Sequence, residues 1–318
     1  MADRSPRWRP SAGVAALKAR AAMLRQIREF FFERGVLEVT TPVLSRYAIS
    51  TPGIESFGTS PPLRRYLRTS PELALKRLLC AGVGDVFEIG PVFRMGEQGR
   101  RHNPEFTLLE WYRIDWNEHD LMHELGALLA LLLKMQQPAR KERYVDLVYQ
   151  HTGIDVFSVT TAALREAIEC HTHLPAAPLE KDALLDLLFA TAVAPQFECD
   201  RITFVHDYPA SQAALAALSE DDPRVARRFE AYLGDVELAN GFFELRDSAE
   251  QRDRFGKDNA IRSESGAPIH RADASFLAAL AHGLPRCAGV AVGVDRLLKL
   301  ALAVDDIAET MAFGFDLA

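Results

Sequence analysis

Residues 85–113 constrain the fold more than any other stretch. Two apolar runs, "DVFEIGPVFR" and "PEFTLLEWYR", are joined by the polar connection "MGEQGRRHN". Both runs alternate with the two-residue period of a strand. In the first, Phe87, Ile89 and Phe93 point one way, and Glu88 and Arg94 the other. In the second, Phe106, Leu108, Glu110 and Tyr112 share one face, and Thr107, Leu109, Trp111 and Arg113 the opposite one. The pattern predicts an antiparallel hairpin with a long basic connection. One face of its second strand offers an aromatic plate at one end and a carboxylate with a phenol at the other. Such a face stacks on a flat base and holds a cation. Arg94, on the polar face of the first strand, suits an anion, and phosphate fits the guanidinium fork. Cross-strand salt bridges among Arg94, Glu88 and Glu110 on a solvated face would account for the same pattern.

The flanking chain predicts helices around further strands. Leu17, Ala21, Leu24, Ile27 and Phe31 recur at helical spacing over residues 14–34, and Gly35 is a stop. "VLEVTTPVL" reads as a short strand entering Pro42, which limits further pairing. "TSPELALKRLLCAG" opens with Ser70 as N-cap, Pro71 at the first helical position and Glu72 in the first turn. Residues 118–136 read as a helix, and residues 144–195 as mostly helical with a Pro-rich break at "LPAAPLE". "DRITFVHDYP" is a strand, "RFEAYLGDVELANGFFEL" a hairpin around Gly234-Asp235, and residues 247–262 a charged helix. "CAGVAVGVDRLLKLAL" is a strand running into a C-terminal helix. Strands arranged as hairpins with helices around them predict an α+β fold on an antiparallel sheet, in a single domain over 1–318 with 144–195 as a helical insertion.

Bulk properties exclude several classes. The chain has 318 residues, 48% of them hydrophobic and 25% charged, as in an ordinary globular protein. No apolar run approaches a membrane span, and "MADRSPRWRPSAG" lacks the apolar core of a secretory signal. Cys80, Cys170, Cys199 and Cys287 are scattered, which predicts cytoplasmic thiols, not a disulfide frame or zinc site. A net charge of −7 argues against a broad nucleic-acid footprint.

Three other segments carry candidate chemistry. In "ELANGFFEL", Asn240, Phe242 and Glu244 share a face, whereas Glu237 has the wrong parity unless Gly241 or its neighbours introduce a bulge. Glu230 lies across the turn from Glu237, and two such carboxylates would hold Mg²⁺ while phosphate oxygens complete its shell; a hairpin with acidic edges is the plainer reading. "GVAVGVDR" places small residues where a ligand would approach the backbone, or where a helix packs tightly. His171 and His173 in "CHTHL" lack a third metal ligand.

Taken together and in order, these segments resemble the catalytic core of class II aminoacyl-tRNA synthetases, in particular the lysine branch. The unit of helix, strand and Pro42 is similar to motif 1, a dimer-interface element. "FRMGEQGRRHNPEFTLLEWYR" is similar to motif 2, and "GVAVGVDRL" to motif 3. "TSPEL" and "ELANGFFEL" match lysine-branch segments. The resemblance runs from about residue 14 to the C-terminus. Lysyl-tRNA synthetases carry an N-terminal OB-fold that reads the anticodon, and motif 1 here begins almost at residue 1. The chain therefore resembles the stand-alone paralogues, the family of elongation factor P–(R)-β-lysine ligases. That resemblance implies activation of (R)-β-lysine with ATP, transfer to a lysine ε-amine of elongation factor P, a homodimer, and no tRNA partner. A truncated lysyl-tRNA synthetase or a non-catalytic, synthetase-like regulatory subunit are the alternatives.

Carried over by motif position, the resemblance implies specific roles. Arg94 grips the α-phosphate, and Arg296 holds the γ-phosphate; both are catalytic. His102 and Asn103 lie near the nucleotide, Phe106 stacks on adenine, and Gly293 lets the nucleotide approach the strand. Glu237 binds Mg²⁺ with Glu230 as second ligand, and Leu238 adjoins the nucleotide. Glu72, with Ser70, receives the amino group nearest the carboxylate. Glu110, Tyr112, Asn240 and Glu244 surround the distal ammonium. Gly96 stands where motif 2 usually has a glutamate, so Glu97 takes over that contact. Ala291 replaces a glycine usual in the tRNA-charging relatives, and its methyl group favours a β- over an α-amino acid.

Overall fold

The computed structural model describes residues 8–172 and 179–318. The predicted hairpin becomes β4 (Val86–Phe93) and β5 (Glu105–Ile114), inside an eight-stranded sheet. The other strands are β1 (Leu37–Glu38), β2 (Leu44–Ser45), β3 (Tyr66–Leu67), β6 (Arg140–Arg143), β7 (Ile202–Pro209), β8 (Val225–Leu233), β9 (Val236–Phe243) and β10 (Cys287–Gly293). The sheet order is β1-β4-β5-β10-β9-β8-β7-β6, and β2 pairs with β3 separately. From β4 to β7 every pairing is antiparallel, as expected. Both edge strands, β1 and β6, pair in parallel, which makes the sheet mixed. The fold class is α+β.

The helices are α1 (Val14–Phe32), α2 (Glu72–Cys80), α3 (Glu118–Leu133), α4 (Tyr144–Thr152), α5 (Thr161–Thr172), α6 (Lys181–Leu188), α7 (Ser248–Glu264), α8 (Ala274–Gly283) and α9 (Val294–Leu302). Helices α1, α3 and α9 cover one sheet face, where Ile27, Phe31, Leu109, Trp111, Leu129 and Val292 form the main core. Helices α2, α7 and α8 share a second core on the other face, with Leu75, Tyr112, Phe255 and Phe276. Helices α4 to α6 pack against β7 and β8 through Tyr144, Leu184, Val205 and Tyr208. His171 is exposed at the end of α5; His173 and residues 174–178 of the predicted break lie outside the described residues.

Several local expectations shift for identifiable reasons. The buried stripe of α1 is Met23, Ile27, Phe30 and Phe31, while Ala21 is exposed; the larger side chains set the face. "VLEVTTPVL" is not one strand. Pro42, with no N–H to donate, separates β1 from β2. The first helical residue of α2 is Glu72, with Pro71 flanking it, yet the Ser70 hydroxyl still accepts the Glu72 N–H at 2.9 Å.

The expected bulge in β9 is present but lies nearer the turn than Gly241. Ala231 pairs with Ala239, whereas Tyr232 pairs with Glu237, so Leu238 is the extra residue. Because Glu230 pairs with Asn240 and is two residues from Tyr232, the bulge turns Glu237 onto the face of Asn240 and Phe242. Gly241 instead makes room for its neighbours. A Cβ there would stand 2.4 Å from the Phe229 ring and 3.0 Å from the Gly289 carbonyl oxygen. Phe229 is fully buried and has nowhere to move. Gly241→Ala is therefore expected to lose about 1–3 kcal/mol of stability through overpacking. A denaturant titration gives the value, and an unchanged midpoint would refute this packing account.

Candidate active site

A cleft opens on the face of β5, β10 and β9 that points away from α1, α3 and α9. Its floor is set by register. Ala291 pairs with Glu110 on one side and Asn240 on the other, and Gly289 pairs with Tyr112 and Phe242. The two-residue period sends Val290 and Val292 into the core and leaves Gly289, Ala291 and Gly293 beneath the cleft. Phe106, Leu108, Glu110 and Tyr112 all line it, as the alternation predicts.

One end of the cleft gathers three carboxylates, from Glu72, Glu110 and Glu244, around a lysine. Lys76 is 1% exposed, and its Nζ lies 2.7 Å from Glu72 Oε1 and 2.5 Å from Glu244 Oε2. Glu110 accepts from Ser70 Oγ and from Tyr112 OH, each at 2.8 Å. Gly289 allows this convergence, because a Cβ there would stand 2.2 Å from the Tyr112 ring and 2.7 Å from Glu244 Oε1. Burial works against the Lys76 charge, but Glu244 and Glu72 more than offset it and hold the ammonium above its usual range. One ammonium cannot neutralise three carboxylates. Burial, then the Glu72 charge, pushes Glu110 up to about 8. Burial pushes Glu244 to about 8 as well, although Lys76 pulls the other way. The Lys76–Glu244 contact is close enough to be ionic, so the protons retained near neutral pH belong to the cluster as a whole. Glu244 Oε1 is buried without a hydrogen-bond partner among the described residues. Such an atom is costly unless a cation completes it.

The sequence alone assigns Glu72 and the Glu110–Glu244 group to two separated places. The structure draws them into one cluster, since a single Nζ touches both Glu72 and Glu244. Glu244 does not line the cleft directly; it reaches the floor from below Gly289. Nor do Glu88, Arg94 and Glu110 form cross-strand salt bridges. Glu88 is buried against Arg68 at 2.6 Å and against Thr41.

The other end of the cleft is cationic. Arg94 follows β4, with its Cζ 5.1 Å from the centre of the Phe106 ring and Nη1 3.6 Å from Glu97. Its Nε is buried without a partner among the described residues. Arg296, in the first turn of α9, donates to the Glu237 carbonyl at 3.0 Å and to His102 Nε2 at 2.6 Å. Accepting that bond requires a neutral imidazole, and burial with the Arg296 charge lowers the His102 pKa accordingly. Burial and the Glu230 charge push the Glu237 carboxyl upward, opposed by Arg296 and Arg228.

Three predicted nucleotide or metal residues differ from the simple expectation. Gly96 has φ +87° and does not line the cleft, so it serves the turn; Glu97 lines the cleft instead. Asn103 lines it, but its amide is committed to backbone: Nδ2 donates to the Glu105 carbonyl at 2.6 Å, and Oδ1 accepts from the Phe315 N–H at 3.0 Å. Glu230 is buried among Tyr208, Tyr232 and Arg228. Both phenols donate to Oε2, at 2.6 and 2.5 Å, and Arg228 Nη2 donates to Oε1. A carboxylate has about four acceptor sites, so Glu230 keeps capacity for a cation only on Oε1. Leu238 lines the cleft as the bulged residue.

Sequence reasoning misses Lys76, although its spacing of four from Glu72 signals contact across one helix face. It also misses Asp295, and takes Gly289 only as a small residue. Asp295 Oδ2 accepts the Thr107 N–H at 2.6 Å, and Oδ1 meets Arg20 at 2.5 Å, which ties α1 and α9 to β5.

The family of tRNA synthetases class II (D, K and N) matches residues 3–316. An elongation factor P–(R)-β-lysine ligase of Histophilus somni is 46% identical over 319 residues, spanning 98% of each chain. The protein of the same name from Mannheimia succiniciproducens is 46% identical over 314 residues, covering 96% of this chain and 97% of its own. That of Hamiltonella defensa is 43% identical over 323 residues, 98% of each.

Lys76→Met removes the one cation that touches both Glu72 and Glu244 among the described residues. Breaking a buried pair from one side is expected to cost about 3–5 kcal/mol at neutral pH. Below the ordinary carboxylate range, Glu244 is protonated in the folded and the unfolded state alike, so the ionic part of the gap between parent and variant is lost. Denaturation of both proteins across that pH range reads this out; a deficit independent of pH would mean lost packing, not lost charge.

Proposed function

The chain belongs to the class II tRNA synthetases (D, K and N), with elongation factor P–(R)-β-lysine ligases as relatives along its whole length, and we propose that it activates (R)-β-lysine with ATP and joins it to a lysine of elongation factor P. One observation carries this reading best. A cleft with two arginines at one end gathers three carboxylates against one lysine at the other, and a buried Glu244 oxygen has no donor among the described residues. An acyl group bearing two ammonium ions and joined to a nucleotide phosphate matches both ends.

The first step needs no side-chain nucleophile. A carboxylate oxygen of β-lysine attacks the α-phosphorus of ATP; that O–P bond forms, the bond to the β-phosphate oxygen breaks, and pyrophosphate leaves. The protein aligns the reactants and neutralises developing charge. Arg94 serves the α-phosphate and Arg296 the γ-phosphate. Phe106, already faced by Arg94, receives the adenine, with His102, Glu97 and Gly293 around the nucleotide. Ser70 and Glu72 take the amine nearer the carboxylate; Glu110, Tyr112, Asn240 and Glu244 take the distal ammonium; Ala291 lies between Glu110 and Asn240, where its methyl sets the depth of the floor. In the second step the neutral ε-amine of the acceptor lysine attacks the acyl carbon. The C–N bond forms, the C–O bond to AMP breaks, AMP leaves with the electron pair, and the nitrogen gives up a proton to solvent.

Mg²⁺ would be held by Glu237, which lines the cleft, with Glu230 Oε1, already met by Arg228, as second ligand. Mg²⁺ takes few protein ligands and keeps phosphate oxygens and water in its shell. When bound it supplies charge neutralisation on the phosphates. The catalytic unit is one domain, since the same sheet continues from β1 to β6 and carries α4 to α6 at its far edge. We assign the homodimer contact to α1 and β1; the exposure of Phe32 (83%) and Leu37 (51%) supports that reading. No helix of the described chain is long and apolar enough to cross a membrane, and the reaction is assigned to the cytoplasm, with no tRNA taking part.

The test is β-lysine-dependent exchange of pyrophosphate into ATP, followed by mass analysis of elongation factor P. Arg94→Ala is expected to lower exchange about a hundred- to a thousand-fold, the effect of removing one transition-state donor, with folding retained. Exchange in the parent that ignores β-lysine, or near-parental exchange in Arg94→Ala, would defeat the reading.

A further inference from the structure

We propose that Leu215 is a specificity-determining wall of the cleft, which reads the length of the apolar stem between the two amines of the substrate, and that Arg254 is the positioning residue that holds it there. The inference deepens the reading above and rests on its diamino acid substrate.

Leu215 lies in residues 213–218, between β7 and β8. This segment runs alongside the chain that leaves β9. The Ala217 N–H donates to the Phe243 carbonyl at 2.8 Å, the Leu245 N–H donates to the Leu215 carbonyl at 3.1 Å, and Ala216 bridges to Glu244. The segment is thus laid directly on the backbone of the buried carboxylate. Ala214 and Leu215 both line the cleft. Leu215 is 6% exposed and packs in one cluster with Ala213, Ala216, Ala226 and Phe242, with Leu73 of α2 against it.

The backbone here is strained, and one side chain accounts for it. Ala214 has φ +48°, a left-handed conformation that a residue with a Cβ adopts at a cost. Such strain persists only where the surroundings over-determine it. Arg254, in α7, supplies that constraint. Its Nη1 donates to the Ala214 carbonyl at 2.8 Å and to the Ala216 carbonyl at 2.7 Å. Its Nε and Nη2 are held by Glu250 Oε1, one helical turn back, at 3.2 and 2.5 Å. The carbonyls of Ala214, Leu215 and Ala216 are therefore all fixed, and so is the direction in which the Leu215 side chain points. Helix α7 begins four residues beyond Glu244. The stretch that carries the carboxylate thus also carries the arginine that orients the wall beside it.

The substrate supplies the reason for such a wall. Between its two amines β-lysine has only methylenes, which neither arginines nor carboxylates recognise. Telling one length from another needs an apolar surface at a fixed place between charged ends. Leu215 and Phe242 provide it. With both amines anchored, a further methylene can only buckle sideways, into Leu215.

The test compares β-lysine with its homologue carrying one further methylene, as kcat/KM in pyrophosphate exchange. Leu215→Ala is expected to move the ratio toward the longer substrate by roughly ten-fold or more, with the KM for ATP unchanged. Should that variant fail to fold, Leu215→Val is expected to move the ratio the same way by less. Arg254 does not line the cleft. Arg254→Met keeps an unbranched side chain and loses the donors; it is expected to shift the ratio in the same direction, again with the KM for ATP unchanged. The double variant is expected to match Leu215→Ala alone, because Arg254 acts through Leu215. An unmoved ratio in the Leu215 variants would overturn the wall. Additive shifts in the double variant, or an equal fall with both substrates in Arg254→Met, would overturn the positioning role. A parent without β-lysine-dependent exchange defeats the ligase reading and this inference with it; exchange with an unmoved ratio defeats the inference alone.

Discussion

A lysine sealed from water between two carboxylates organises the substrate end of this protein. Lys76 joins α2, through Glu72, to the chain leaving β9, through Glu244. Burying such ions is costly, and their mutual attraction offsets the cost only when the geometry is close. Close geometry here depends on Gly289, the one floor position where any side chain would collide with both Tyr112 and Glu244. The sheet register, the glycine and the ion triad are thus one arrangement. Glu110 is held in it by Ser70 and Tyr112, with no cation of its own among the described residues.

The opposite end follows a complementary constraint. Arg94, Arg296 and the neutral His102 stand around a space bounded by Phe106 and Glu237. The cleft therefore runs from excess positive to excess negative charge along one face of three strands. A molecule that is phosphate at one end and diammonium at the other fits in one direction only. Charge at both ends also explains economy in catalysis: alignment and neutralisation are sufficient for adenylate formation, and no side chain need form a bond. The structural clamps lie just behind, with Asp295 and Arg20 fixing the backbone of Thr107, and Asn103 fixing the loop between β4 and β5 against the C-terminal segment.

Much of this is legible in the sequence because strand periodicity is simple. The faces of β5 and β10 follow from alternation alone, and the motif-like segments point to the family. What is not legible depends on contacts between elements. Lys76 carries no sequence signal beyond its spacing from Glu72 until the chain leaving β9 brings Glu244 beside it. The parity of Glu237 signals a bulge, but only the turn geometry beside Tyr232 places the extra residue at Leu238. Asn103 reads as a ligand residue because its backbone role involves Phe315, some two hundred positions away. Strand β6 is short, charged and parallel, so it carries no alternating apolar signal, whereas helix α8 buries Phe276, Leu277 and Leu280 at a helical spacing that sequence reasoning misses.

The pocket carries more carboxylate than Lys76 can neutralise, and the proposed dication would complete it. Burial raises Glu110 and Glu244 to about 8 each, so below that pH the cluster retains protons that a bound dication must displace. The most direct measurement is calorimetric titration with β-lysine near pH 7 in buffers of different ionisation enthalpy. The account predicts that binding releases about one proton or more, and that affinity climbs toward pH 8 by up to about ten-fold per pH unit for each proton released. Binding with no proton release and no pH dependence over that interval would contradict it.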